Sequence, residues 1–223
     1  MEKVMEINGI INGIVWGPWM LALLVGTGVY LTVILGVPQL RYFFLMFKEV
    51  FGNLGKKKEG EGSISSFAAL STALASTIGT GNIAGVATAL HLGGPGALFW
   101  MLISAVFGMT TKMAEVTLAV RFREKDEAGN WRGGTMYILD KAANAKWLAW
   151  LFAFFGFFAS FGIGCAIQAN SAAEGFNLGF GLPNLYSGII LAVLTALVII
   201  GGLKRIADVT TYLVPFMAIF YIV

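Results

Sequence analysis

The residues with the clearest chemical potential are Gly79, Thr80, Gly81 and Asn82, inside "STIGTGNIAG" at residues 76–85. Two glycines and an asparagine this close weaken a helix and leave backbone N–H and C=O groups seeking partners. Two chemistries use such groups. A phosphate cradle needs a strand before the glycines and an acid about 20 residues on. Here "FAALSTALASTI" precedes Gly79, small and helix-compatible, and the next acid is Glu115. The other chemistry is a helix unwound at membrane depth, where one half-helix aims its N-terminus at an anion and freed carbonyls take a cation. Residues 62–111 contain no Asp, Glu, Lys or Arg, so no side-chain ion can do this work there. Backbone N–H groups near Thr80 and Gly81 can hold a carboxylate. Carbonyls before the break can take an ammonium group or Na⁺. The lining of Ala, Thr and Gly points to a small ligand. Close helix packing explains many neighbours at once, among them Ala68, Ala69, Ser71, Thr72, Ala73 and Ala75. Gly81 and Gly85, four apart, fit packing as well, but packing alone leaves the 79–82 cluster underexplained.

The chain that positions these residues is 57% hydrophobic and 12% charged over 223 residues. A soluble domain carries about a quarter charged residues, so this composition predicts an all-α integral membrane protein. Apolar spans are predicted at 17–37, 65–93, 95–120, 147–172 and 185–203, with a sixth starting near Thr210. The second span exceeds the roughly 20 residues needed to cross and so has room for a break. Between the first two lie "QLRYFFLMFKEVFG", whose Phe spacing predicts an amphipathic helix on the membrane surface, and the polar loop "GKKKEGEGS". "TMYIL" is expected as a short helix against the membrane.

Apart from Lys3, Lys and Arg cluster at 41–58, 112–146 and 204–205. Alternating spans place all three clusters in the cytoplasm if the N-terminus is outside, as the positive-inside tendency requires. Glu2 and Glu6 beside Lys3 argue against a cleaved signal segment. The basic runs are short and flank apolar spans, which argues against nucleic acid as a partner. Cys165 is the single cysteine and lies in a span. No buried acid, His pair or nucleophile–base set appears in the spans, so an enzyme is the weakest reading.

Residues 79–115, "GTGNIAGVATALHLGGPGALFWMLISAVFGMTTKMAE", closely resemble the signature region of the alanine or glycine:cation (sodium:alanine) symporter family. "AIQANS" at 166–171 and "VPFMAIFYI" near the end extend the resemblance over essentially the whole chain. The resemblance implies a LeuT-like fold of two inverted five-helix repeats, each with a broken first helix. Residues 1–63 would then be an extra N-terminal transmembrane helix, a surface helix and a basic loop. Residues 64–223 would be the first repeat, ending inside its fifth helix, with the second repeat absent. Carried over by motif, Gly79, Thr80, Gly81, Asn82 and Gln168 contact the amino acid, and the carbonyls near Ala75 and Ile78 form part of a Na⁺ site. The same resemblance implies symport of alanine or glycine across the cytoplasmic membrane. Na⁺ would be the coupling ion, with H⁺ as the alternative, and no cofactor. An interhelical hydrogen bond is the other reading of Gln168. Lys112 and Glu115 are expected as an interfacial pair and His91 as a solvated loop residue. The competing reading of the chain is a non-transporting membrane subunit that needs a partner.

Overall fold

The computed structural model describes residues 2–52 and 65–222; the polar loop at 55–63 falls outside the described residues. The chain is α-helical, with one small hairpin of two-residue strands. Three of its apolar helical stretches are long enough to cross a membrane, namely Lys3–Ile34, Gly81–Arg121 and Lys146–Phe180. The pair Asn184–Ile199 and Gly202–Tyr221, bent by 116°, meets the same criterion only when its two helices are taken together as one span.

Helix α1 (Glu2–Val15) precedes α2 (Pro18–Ile34). The first predicted span, 17–37, does not include residues 2–15, where Glu2, Lys3 and Glu6 carry charge. Ile7, Ile10, Ile11 and Ile14 nevertheless recur at helical spacing, and the two helices run on as one apolar stretch. Gly36 (φ 67) and Val37 (φ 52) then turn the chain sharply into Pro38. The expected surface helix follows as α3 (Pro38–Arg41) and α4 (Phe43–Phe51), with Phe43, Phe44, Phe47 and Phe51 exposed.

Helix α5 (Ser66–Thr77) starts where the Ser65 hydroxyl accepts from the Ala68 N–H at 3.2 Å. Past the break, a π-helical turn, Gly81–Gly85, leads into α6 (Val86–Arg121). Gly94 splits α6 in two, with φ 60 and ψ −162 immediately before Pro95. Glycine is required by that left-handed φ, and proline suits the first turn of the next helix. A helix boundary therefore falls at Gly94, inside the apolar stretch Gly81–Arg121, at the position where the sequence predicted one span to end and the next to begin.

A hairpin of β1 (Glu124–Lys125) and β2 (Trp131–Arg132) and the short α7 (Thr135–Lys141) follow. Helix α8 (Lys146–Ala159) passes through a second π segment, Ser160–Ala166, into α9 (Ile167–Phe180). Residues expected as an outer connection are thus helical up to Gly181. There the Gly181 N–H bonds the Asn177 carbonyl, and the Asn177 side chain donates to the Leu182 carbonyl at 3.0 Å. Helix α10 (Asn184–Ile199) meets α11 (Gly202–Ile222) at 116°. Lys204 and Arg205 open α11 rather than closing α10. The bend is set by Gly201–Gly202, with Gly202 at φ 71, so the glycine pair and not the charge marks the boundary.

The packing is inverted relative to a soluble protein. Among the described residues, the buried hydrophobic side chains are four alanines and Val214, joined by Thr32, Gln39, Ser71, Thr110, Ser187 and Thr210. Large apolar side chains such as Trp19, Phe44 and Phe220 are exposed. Lipid tails remove the driving force to bury leucine, so small and hydroxyl side chains hold such helices together. Gly28 of α2 lies against Phe107 of α6. Beside it Thr32 and Thr110 hydroxyls bond at 3.0 Å, and Gln39 donates to Thr32 and to the Val106 carbonyl, both at 3.0 Å. Helix α11 packs along α5, with Thr72 and Thr210 hydroxyls 3.1 Å apart. These features are compatible with a mainly α-helical, multi-pass membrane protein.

Candidate functional site

The break begins as α5 loses its hydrogen-bond ladder. Thr72 bonds back to the Ala68 carbonyl, and Ser76 and Thr77 both bond back to Ala73. Such back-bonding competes with the helix and often bends it. The Ile78 N–H still reaches the Leu74 carbonyl at 2.8 Å. Ile78 itself is extended (φ −78, ψ 110), so its carbonyl leaves the helical direction.

The next two N–H groups turn to side chains. Gly79 N–H donates to Asn82 Oδ1 at 3.1 Å, and Thr80 N–H donates to Gln168 Oε1 at 3.0 Å. Asn82 N–H returns to the Gly79 carbonyl at 3.0 Å, closing a tight turn. A continued α-helix would have sent the Gly79 and Thr80 N–H groups to the Ala75 and Ser76 carbonyls. Those two oxygens lose their helical donors. Gly79, Thr80, Asn82 and Gln168 are thus brought together in one hydrogen-bonded unit, and Ala75 presents its carbonyl just before it.

Gln168 comes from the first turn of α9, directly after the π segment Ser160–Ala166. Its carboxamide can lie against the break because Gly79 has no side chain: a Cβ there would stand 3.0 Å from both Gln168 Nε2 and Oε1. At Gly81 a Cβ would meet nothing within 4 Å. Gly81 and Asn82 are exposed, whereas Thr80 and Gln168 are half-buried. The unit therefore has a packed side toward α9 and an open side.

The site holds no ionised side chain. Its electrostatics come from backbone dipoles: the α5 C-terminus is partially negative and the start of the Gly81 half-helix partially positive, each about half a charge. This pair can accommodate a cation and an anion at adjacent positions. Among the described residues no group of three or more His, Cys, Asp or Glu could hold a metal ion, so any cation here would rely on carbonyl oxygens. A separate groove of about 530 Å³ between α7 and α8 is lined by Leu139, Leu148, Leu151, Phe152, Phe155, Gly156 and Ala159. It has no group to receive a charged amino acid.

Other expected positions are peripheral. Lys112 Nζ and Glu115 Oε2 pair at 3.0 Å one helical turn apart, both solvent-exposed, where a pair contributes at most about 1 kcal/mol. His91 is exposed. The Ser76 carbonyl, freed together with that of Ala75, was missed in the sequence. Counting four residues back from Thr80 would have found it. The hairpin after α6 was also missed: Arg123 and Lys125 flank the Trp131 ring at 4.0 and 4.7 Å. Arg132 pairs with Asp126 at 2.9 Å. The Asn130 N–H donates to Asp126 and, with Arg132, holds this carboxyl below its ordinary value.

Comparison with known proteins adds an independent line. A family model described as the sodium:alanine symporter family matches residues 1–223. The chain is 51% identical to "Sodium/alanine symporter AgcS" of Methanococcus maripaludis, covering 100% of this chain and 49% of that protein. It is 40% identical to the "Putative sodium/proton-dependent alanine carrier protein YrbD" of Bacillus subtilis, over 95% of this chain and 43% of that one. It is 38% identical to the "Probable sodium/glutamine symporter GlnT" of the same organism, over 100% of this chain and 46% of that one. The chain spans about half the length of these curated relatives.

Proposed function

The chain belongs to the sodium:alanine symporter family, and from that premise we propose that it forms one half of a transporter coupling alanine or glycine uptake to Na⁺. The observation that carries this is the helix break at 78–82, where N–H donors and bare carbonyls meet in a segment without charged side chains. A charged side chain at the bilayer centre costs about 3 kcal/mol on insertion scales. Backbone groups hold a zwitterion and a cation without that cost.

In this reading the Gly81 half-helix receives the carboxylate, with Thr80, Gly79, Asn82 and Gln168 around it. Thr80 N–H is occupied by Gln168 Oε1 at 3.0 Å, so the carboxylate either uses Gly81 N–H first or exchanges with the Gln168 oxygen. Na⁺ sits on the carbonyl side, on Ala75 and Ile78, and offsets the carboxylate charge. H⁺ is the alternative coupling ion; one relative's name carries both ions. Residues 64–223 act as the first five-helix repeat of a LeuT-like core, preceded by the extra helix and surface segment of 1–63. The relatives are about twice as long, and the part not covered by this chain supplies the facing half of the site. The protein sits in the cytoplasmic membrane with its N-terminus outside. Outside Na⁺ and amino acid bind together, and rocking of the two halves opens the site inward.

Gly81→Leu tests the location. Nothing in this chain stands within 4 Å of a Cβ at that position, and membrane insertion of the variant is checked alongside binding. Alanine binding is expected to be lost, because the leucine fills the open side of the break. Alanine binding that survives in Gly81→Leu rejects the break as the site.

A further inference from the structure

The two carboxamides at the break, Asn82 and Gln168, do the same thing from different helices. Each presents its oxygen to one backbone N–H, at 3.1 Å for Gly79 and 3.0 Å for Thr80. In a continuous α-helix those donors would close onto the carbonyls of Ala75 and Ser76. We infer that Asn82 and Gln168 are positioning residues for the cation: their side-chain oxygens hold the Gly79 and Thr80 N–H groups away, and so keep the Ala75 carbonyl of the proposed Na⁺ site available and add that of Ser76 beside it. The inference rests on the proposed cation position before the break.

The two differ in what they report. Asn82 lies in the same turn as Gly79 and is tied to it a second time, through its own N–H to the Gly79 carbonyl at 3.0 Å. Its hold is local and constant. Gln168 reaches across from α9, just past the Ser160–Ala166 π segment. π segments interrupt the regular ladder and often occur at functional sites. A shift of α9 by an ångström would take the Thr80 contact beyond hydrogen-bonding distance. Thr80 N–H would then be free to close onto Ser76. Gln168 thereby ties the placement of α9, and of anything bound against it, to the number of oxygens offered to the cation. That is a coupling between two sites through a named hydrogen bond, and it must act reciprocally on binding.

The test measures Na⁺ binding to the purified whole transporter without amino acid, using radiolabelled Na⁺. Asn82→Leu removes the acceptor at similar size; Asn82→Ser restores a short, neutral acceptor. Gln168→Leu removes the acceptor on α9 and reads the same property if Asn82→Leu does not fold. Each leucine variant is expected to raise the Na⁺ half-saturation concentration about tenfold, the scale of one lost polar interaction. Asn82→Ser is expected to recover most of that loss. Leucine variants that bind Na⁺ like the wild type overturn the inference. So does a loss that serine fails to restore, which would reflect general damage to the turn. A wild-type protein that binds no Na⁺ overturns the proposed coupling itself instead.

Discussion

Adding one methyl group at Gly79 places a carbon 3.0 Å from both Nε2 and Oε1 of Gln168. Ordinary contact needs about half an ångström more, so the carboxamide must move back by that amount in Gly79→Ala. The Thr80 N–H to Gln168 Oε1 bond starts at 3.0 Å and stretches toward the limit of useful geometry. Weakening it costs about 1 kcal/mol, the net value of one hydrogen bond. Alanine also restricts the unfolded chain relative to glycine, which returns roughly 0.4–1 kcal/mol. The two effects nearly cancel, so thermal stability in detergent should change by less than about 1 kcal/mol. Ligand affinity has no such compensation. A loss of about 1 kcal/mol at the site raises the KM for alanine roughly fivefold. The assay is alanine uptake by proteoliposomes alongside a melting curve. Gly81→Ala is the control for stability, because its Cβ meets nothing within 4 Å. An unchanged KM in Gly79→Ala would refute the idea that the close approach of Gln168 matters to the site.

Two further predictions concern parts away from the break. Gly28→Ala puts a Cβ 3.0 Å from the Phe107 Cβ and carbonyl oxygen, where neither α2 nor α6 backbone can yield cheaply. It should destabilise by about 1–3 kcal/mol, whereas Gly26→Ala, with nothing within 4 Å, should be neutral or slightly stabilising in a melting assay. At the hairpin, the Asp126 carboxyl is held below its ordinary 3.8 by the Asn130 N–H and Arg132. A lowered carboxylate pKa contributes stability that is fully present above the unfolded value and is lost as pH falls through the folded one. Protection of the Asn130 amide, its exchange rate relative to an unstructured peptide at the same pH, should therefore fall on acidification below that range, and Asp126→Asn should flatten this pH dependence.

Much of the frame could be read from local sequence because local chemistry sets it. Gly94 before Pro95 marks a helix boundary by backbone geometry alone. Two glycines and an asparagine at 79–82 mark a break, and phenylalanines at helical spacing mark the amphipathic helix at 43–51. The misplacements have equally local causes. Lys204 and Arg205 looked like the end of a span, but the flexible Gly201–Gly202 pair turns the chain first. Asn177 extends α9 by capping a turn the sequence assigned to an outer loop. Scattered charges hid the isoleucine stripe of α1. Within the candidate site, the residue types were legible but the partners were not. The Thr80–Gln168 bond joins residues 88 positions apart, and no periodicity within either helix encodes which N–H a glutamine from another helix will take. The same holds for Thr72 with Thr210 and for Thr32 with Thr110.

The central claim is that backbone groups at the 78–82 break bind a small amino acid together with Na⁺. Its most direct measurement is uptake of labelled alanine into proteoliposomes carrying the whole transporter, under controlled ion gradients. An inward Na⁺ gradient should drive accumulation, and its removal should abolish it. Equal accumulation under a proton gradient without Na⁺ would contradict the claim.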